Sequence, residues 1–187
     1  ITNPAYFFNM QSFRYTQDTI DAELKKSKED FILHFRSAYT DDYPPAWMIA
    51  EILPLGLLCR IYTNLKDNVI KKRVAQHFGL QVPVFSSWIV ILAGLRNMCC
   101  HHCRTWNREL ATITTEPRRT KYGWIDSSRT DKRRMYYRIC TVRYFLYTVS
   151  PNNSFKDKLK TLLAAYPNID TAAMGFPSDW ESEDIWK

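Results

Sequence analysis

The run Arg96-Asn97-Met98-Cys99-Cys100-His101-His102-Cys103-Arg104-Thr105-Trp106-Asn107-Arg108 concentrates residue types that do acid–base and anion chemistry. A histidine takes or gives a proton near pH 7, and guanidinium groups stabilise phosphate oxygens. Together they suit cleavage of RNA by its own 2′-hydroxyl, which needs proton transfer and charge stabilisation. Read as one helix from about 84 to 110, with about 100° per residue, the run separates its two histidines. His102 falls on the apolar stripe with Trp88, Leu95, Cys99 and Trp106, the place of a packed core histidine. His101 shares the opposite face with Asn97, Arg104 and Arg108, while Arg96 lies to one side. Arg96 and His101 are then about 140° apart, so one helix does not easily aim both at the same atom. Two copies meeting across a two-fold axis would pool two arginines and two histidines in one cleft.

A metal is the competing use of these residues. Cys99, His102 and Cys103 stand at i, i+3 and i+4, close enough on a helix to share a zinc ion. A structural zinc site wants four ligands, and His34, His77, Cys59 and Cys140 are scattered singly. The expectation is therefore no metal and no cofactor. Five cysteines, two of them adjacent, do not read as a disulfide framework, which places the protein in a reducing cytoplasm.

The elements that must position the run are helical. Asp18 is a candidate N-cap for a helix to about Tyr39, with Ile20, Leu24, Phe31 and Phe35 at helical spacing. Asp41 to Pro45 breaks it, and a second helix runs from Ala46 to about Asn64, bent near Pro54. A short basic helix from about Asn68 to Phe78 ends at Gly79, a natural residue to follow a helix. Pro83 opens the long helix that carries the motif. Thr114 to Asp131 reads as a loop, Lys132 to Val149 as a helix, and Ser154 to about Tyr166 as another. The end, from Met174 to Lys187, is an aromatic-rich irregular tail. No strand pattern and no internal repeat appears. The fold class is all-α.

With 187 residues, 45% hydrophobic and 24% charged, the composition is that of a folded domain rather than a disordered chain. Glycine is scarce, at 5 residues, and none falls in a GxGxxG or GxxxxGK[ST] pattern, which argues against dinucleotide-binding and P-loop classes. No stretch reaches the roughly 18 uninterrupted apolar residues of a membrane span. The opening ITNPAYFFNM has neither a basic n-region nor an initiator Met, so it does not read as a secretory signal, and a missing upstream region is expected. The net charge of +7 is concentrated between residues 118 and 143, where nine basic residues face only Asp126 and Asp131. Tyr122, Trp124, Tyr136, Tyr137 and Tyr144 are interleaved with them. Cations neutralise phosphates and aromatic faces stack on unpaired bases, so this segment is a candidate single-stranded RNA surface. A solvated helix face with a charged loop would have the same composition.

The run from Arg96 to Arg108 closely resembles the RN-x-x-x-HH-x-R-x-WNR signature of the Abi family, the abortive infection bacteriophage resistance proteins of bacteria. Pro45-Ala46-Trp47-Met48-Ile49-Ala50-Glu51, followed by Gly56, is similar to the family's P-x-W-x-x-x-E-x-x-x-x-G block. Met174-Gly175-Phe176-Pro177 with Trp180 and Trp186 is similar to its GFP-x-x-W…W ending. The resemblance spans about 45–187 and divides the chain into a helical segment 1–44, continuing an upstream region, and an Abi domain 45–187. It implies the HEPN superfamily of helical bundles, dimeric through the motif-bearing helix, whose ribonucleases carry R-x4–6-H. Both Arg96-x4-His101 and Arg96-x5-His102 fit that motif. The implied activity is a metal-independent endoribonuclease toxin in the cytoplasm that arrests the phage-infected cell. Arg96 would hold the scissile phosphate, His101 or His102 would move the proton, and Asn97 would orient the pair. Arg104, Asn107, Arg108, Arg118, Arg119, Arg133 and Arg134 are the expected RNA contacts. RNA, a second copy and an RNA or protein antitoxin are the expected partners, and no membrane is. The alternative is a non-catalytic helical module that binds RNA or protein in a defence system.

Overall fold

Asn9 starts the first helix, and not Asp18, because its side-chain Oδ1 accepts the Ser12 N–H at 2.8 Å. This computed structural model describes residues 2–112 and 114–187. Its α-helices are α1 (Met10–Lys26), α2 (Asp30–Ala38), α3 (Ala46–Ile52), α4 (Leu55–Asn64), α5 (Asn68–His77), α6 (Val82–Cys100), α7 (Met135–Val149) and α8 (Phe155–Ala165). Among the described residues the only strand-like feature is one antiparallel bridge, Phe7 with Leu65. The fold is all-α, as the sequence predicts.

The single helix expected from Asp18 to Tyr39 is two, α1 and α2. Ser27 turns extended, at φ −63° and ψ 134°, and its N–H closes α1 onto Glu23 O and Leu24 O. The bend expected at Pro54 is a full break. Leu53 precedes a proline and is extended, at φ −82° and ψ 143°, the conformation that a following ring enforces. Gly79 does follow α5 in the left-handed region, at φ 66°, and a Cβ there would meet Lys121 Cβ at 2.1 Å.

Two compact units divide within α5, at Lys71/Lys72, rather than at the boundary after Pro44 that the sequence suggests. The reason lies in the first unit, where α1 packs on both α3 and α4. Ile20, Ile49, Leu53 and Leu57 form its buried centre. Tyr43 donates to Asp21 Oδ1 at 2.8 Å, and Asn9 and Asn64 exchange bonds of 2.8 and 3.0 Å. Lys71, although buried, donates its Nζ to Thr63 O and Leu65 O at 3.0 and 3.1 Å. The ammonium thus satisfies carbonyls at the end of α4.

The second unit is built on α6 against α7. Trp88 on α6 is wholly buried, 4.5 Å from the Trp124 ring and edge-on to Tyr144 at 5.2 Å. Trp124 in turn meets Tyr137 and Tyr144 edge-to-face, the geometry that aromatic quadrupoles favour. The C-terminal tail folds onto α7, with Tyr136 against Phe176 and Trp186, and Trp180 edge-on to Trp186. The aromatic residues of the basic segment are therefore the core of this unit, not a platform for bases. Helix α6 has the length and composition of a membrane span, and in the fold it is the helix that carries Trp88 into this core.

Two carboxylates secure the core with opposite pH signatures. Glu183, buried, accepts from Tyr136 OH at 2.8 Å, and that hydroxyl accepts from Trp186 Nε1 at 3.0 Å. Burial raises the Glu183 carboxyl above its ordinary value. The folded state then holds this proton more tightly than the unfolded chain, so the linked stability is full below about pH 4.5 and declines as the pH rises through the folded value. Burial also pushes up the half-buried Glu116. The Lys132 ion pair at 2.7 Å and hydrogen bonds from Ser127 and Trp124 outweigh it and hold Glu116 low. Its contribution is present above about pH 4.5 and is lost as the pH falls through the folded value. Urea unfolding across pH 4–8 is expected to show Glu183→Gln gaining stability over the wild type as pH rises. Glu116→Gln should lose most at neutral pH and least in acid. Parallel pH profiles for both variants would contradict these assignments.

Candidate functional site

Helix α6 stops at Cys100, ten residues before the end that the sequence suggests, and the stop has a definite backbone cause. His101 is the C-cap, at φ −93° and ψ 12°. His102 follows in the left-handed region, at φ 51°. Its N–H donates to Cys99 O at 3.1 Å, and the Cys103 N–H donates to Met98 O at 2.9 Å. These crossed bonds are the Schellman closure of a helix, which usually places glycine where His102 stands. Histidine is among the few side chains that tolerate this conformation.

The stop overturns part of the helical reading. His102 and Trp106 are not on the core seam but exposed, Trp106 at 41%. Arg104, Asn107 and Arg108 do not share a helix face with His101. The zinc geometry proposed for Cys99, His102 and Cys103 is also lost, because Cys103 lies beyond the helix. No cluster of three metal-ligating side chains forms among the described residues. What remains at the last turn of α6 is Arg96, Asn97 and His101, all exposed. Arg96 Nη1 donates to Asn97 Oδ1 at 3.2 Å. The side chains of Arg96, His101 and His102 have no ion pair among the described residues and stand exposed to solvent. Arg104 and Arg108 are exposed nearby in sequence and equally without an ion pair.

Beyond the turn, the chain is stitched to the start of α7. Asn107 takes the left-handed conformation, at φ 46°, and accepts from Arg134 Nη1 at 3.1 Å. Arg133 pairs with Glu109 at 2.8 Å while its carbonyl accepts the Leu110 N–H, also at 2.8 Å. Arg134 also reaches Asp131 at 3.6 Å. The Asn107 and Arg134 side chains thus hold each other.

Most of the basic segment is engaged in the same way. Arg129 pairs with Asp179 and Lys132 with Glu116. Arg138 and Arg143 are buried, Arg143 lying 4.3 Å over the Tyr147 ring. Of the nine cations, Arg118, Arg119 and Lys121 stay exposed without an ion pair among the described residues. Sequence reasoning passed over the acids that answer these cations. Glu109, Glu116 and Asp179 lie far from them in the chain, and no local pattern announces the pairing.

The left-handed histidine yields a direct test of backbone strain. A non-glycine residue in this region costs on the order of 1 kcal/mol. His102→Gly is expected to raise unfolding stability by about that amount in urea titration. A loss of stability would mean that the His102 side chain contributes packing which its exposure does not reveal.

The profile of the family described as Abi-like protein matches residues 2–107. The match takes in residues 2–44, which the sequence resemblance left upstream of the domain, and ends inside the Arg96–Arg108 signature. It does not extend over the basic segment or the aromatic tail. Comparison with curated proteins and with solved structures returns no match. Covering more than half of the chain and including Arg96, Asn97, His101 and His102, the match shows that this protein belongs to the Abi-like protein family.

Proposed function

We propose that the protein is an abortive-infection endoribonuclease, a toxin that cuts RNA with Arg96 and His101 at a site shared by two copies. The observation that carries this reading is the last turn of α6. Arg96, Asn97 and His101 are exposed together there, with no ion pair among the described residues, while six of the nine cations between residues 118 and 143 are paired or buried. His101 takes the proton of a ribose 2′-hydroxyl, whose oxygen attacks the adjacent phosphorus. The Arg96 guanidinium stabilises the charge that builds on the non-bridging oxygens. The bond to the 5′-oxygen breaks, and that oxygen takes a proton from the second copy's histidine. The products are a 2′,3′-cyclic phosphate and a 5′-hydroxyl. The guanidinium supplies the positive charge, so the route draws on no metal ion.

The pairing of Arg96 with Asn97 supports an orienting role for Asn97, and the exposed Arg104 and Arg108 would hold the RNA strand. His101 is preferred to His102 because His102 has a structural reason to stand where it does, as the closing residue of the helix. Bacterial expression is the direct test of the biological reading. Wild-type protein should arrest growth with fragmented RNA, and Arg96→Ala should not. Growth arrest that persists in Arg96→Ala, with intact RNA, would set the ribonuclease aside.

The exposed Arg118, Arg119 and Lys121 favour a second reading, a non-catalytic RNA-binding module. It predicts salt-sensitive binding with no product. A cytoplasmic setting and an antitoxin belong to the toxin reading.

A further inference from the structure

Arg138 is a cation without an anion. It is 3% exposed, its Nη2 donates to Thr112 O, and its Nη1 is buried with no hydrogen-bond partner among the described residues. No carboxylate pairs with it among the described residues. Burial disfavours its charge, and only the Tyr137 phenol, not a carboxylate, works against that. A desolvated guanidinium without a counter-charge is costly, and such groups are usually paired or ligand-bound.

Arg138 lines a cleft of about 270 Å³ between α6 and the 108–112 segment. One wall is apolar, formed by Val90, Ile91, Leu95 and Met98, and Arg108 stands on the other side. Glu109 also borders the cleft, but it is held by Arg133 at 2.8 Å. The cleft therefore presents two guanidinium groups against a hydrocarbon wall, the pairing of a few polar groups with apolar lining that small-molecule sites show. Its volume is below that of drug-sized ligand sites, which begin at roughly 300 Å³.

We infer that this cleft binds a small organic anion, whose carboxylate or phosphate group pairs with Arg138 and whose apolar body lies against Val90, Ile91, Leu95 and Met98. Arg138 offers the fixed fork that recognises either group, and Arg108 adds charge at the mouth. Neither Arg96 nor His101 lines the cleft, which shares only Arg108 with the proposed path of the RNA strand, and its occupancy does not depend on RNA cleavage.

The test is an NMR titration of the whole chain with benzoate, phenyl phosphate, acetate and inorganic phosphate. Benzoate or phenyl phosphate should shift amides of residues 91–98 and 108–112. It should bind at least about tenfold tighter than acetate or inorganic phosphate, because only the aryl compounds cover the apolar wall. Tighter binding of benzoate would identify a carboxylate site and of phenyl phosphate a phosphate site. Arg138→Gln should weaken the binding at least about tenfold. Ala111→Glu, an exposed change at the cleft, should weaken it by repulsion and decides the matter alone if Arg138→Gln does not fold. The inference is overturned by no shift in the cleft with any of the four anions, by acetate and inorganic phosphate binding as tightly as their aryl counterparts, or by unchanged affinity in Ala111→Glu.

Discussion

Arg96→Ala and His101→Ala should each lower RNA cleavage by about 10²- to 10⁴-fold, the range for loss of a general base or of a transition-state charge partner. Both side chains are exposed and neither has an ion pair among the described residues, so unfolding stability should stay within about 0.5 kcal/mol of the wild type. That combination separates chemistry from structure. Arg96→Lys keeps the charge but loses the planar fork, and it should recover only part of the rate. His102→Gly, by contrast, should keep cleavage near the wild-type level while it raises stability. Loss of activity in His102→Gly with activity retained in His101→Ala would move the proton-transfer role one residue along. Arg133→Glu should act differently again. It breaks the Glu109 pair and loosens the 108–112 segment, so any loss of activity should come with a loss of stability.

Trp186→Ala is expected to destabilise the second unit by about 3–5 kcal/mol, the usual cost of emptying a large buried aromatic site. Trp186 is wholly buried near the chain end. It stacks edge-on to Trp180 at 5.0 Å and donates its Nε1 to Tyr136 OH. Truncation therefore opens a cavity and removes one hydrogen bond from the buried Tyr136–Glu183 pair. Trp47 is the natural comparison, since it is 63% exposed. Trp47→Ala should cost less than about 1 kcal/mol. The two variants change the same residue type, so denaturant unfolding of both isolates burial as the cause. Equal effects would mean that the tail does not close the core as described.

Much of this architecture can be read from the sequence. The helical spacing of Ile20 and Leu24, the proline at 54 and the glycine at 79 announce the elements because their causes are local. The end of α6 is not announced. No glycine or proline follows Cys100, and the turn is closed by His102 in a conformation whose usual occupant is absent. A helical wheel extended past that point therefore put His102 and Trp106 in the core. The basic segment misleads for the opposite reason. Its cations are local and obvious, while Glu109, Glu116 and Asp179, which neutralise four of them together with Asp131, are distant or scattered. Interleaved tyrosines and tryptophans have the same composition whether they stack on bases or on each other, and here they stack on each other. The candidate site itself was legible as a motif. The lack of an ion pair at its arginine and histidine among the described residues was not, since that depends on where every other charge goes.

The central claim is that Arg96 and His101 cut RNA by transfer of the phosphate to its own 2′-oxygen. The most direct measurement is end-group analysis of labelled single-stranded RNA incubated with purified protein in EDTA. The account predicts fragments with 2′,3′-cyclic phosphate and 5′-hydroxyl ends, absent with Arg96→Ala and with His101→Ala. RNA bound but left whole, or fragments with 3′-hydroxyl ends that form only with added divalent metal, would contradict it.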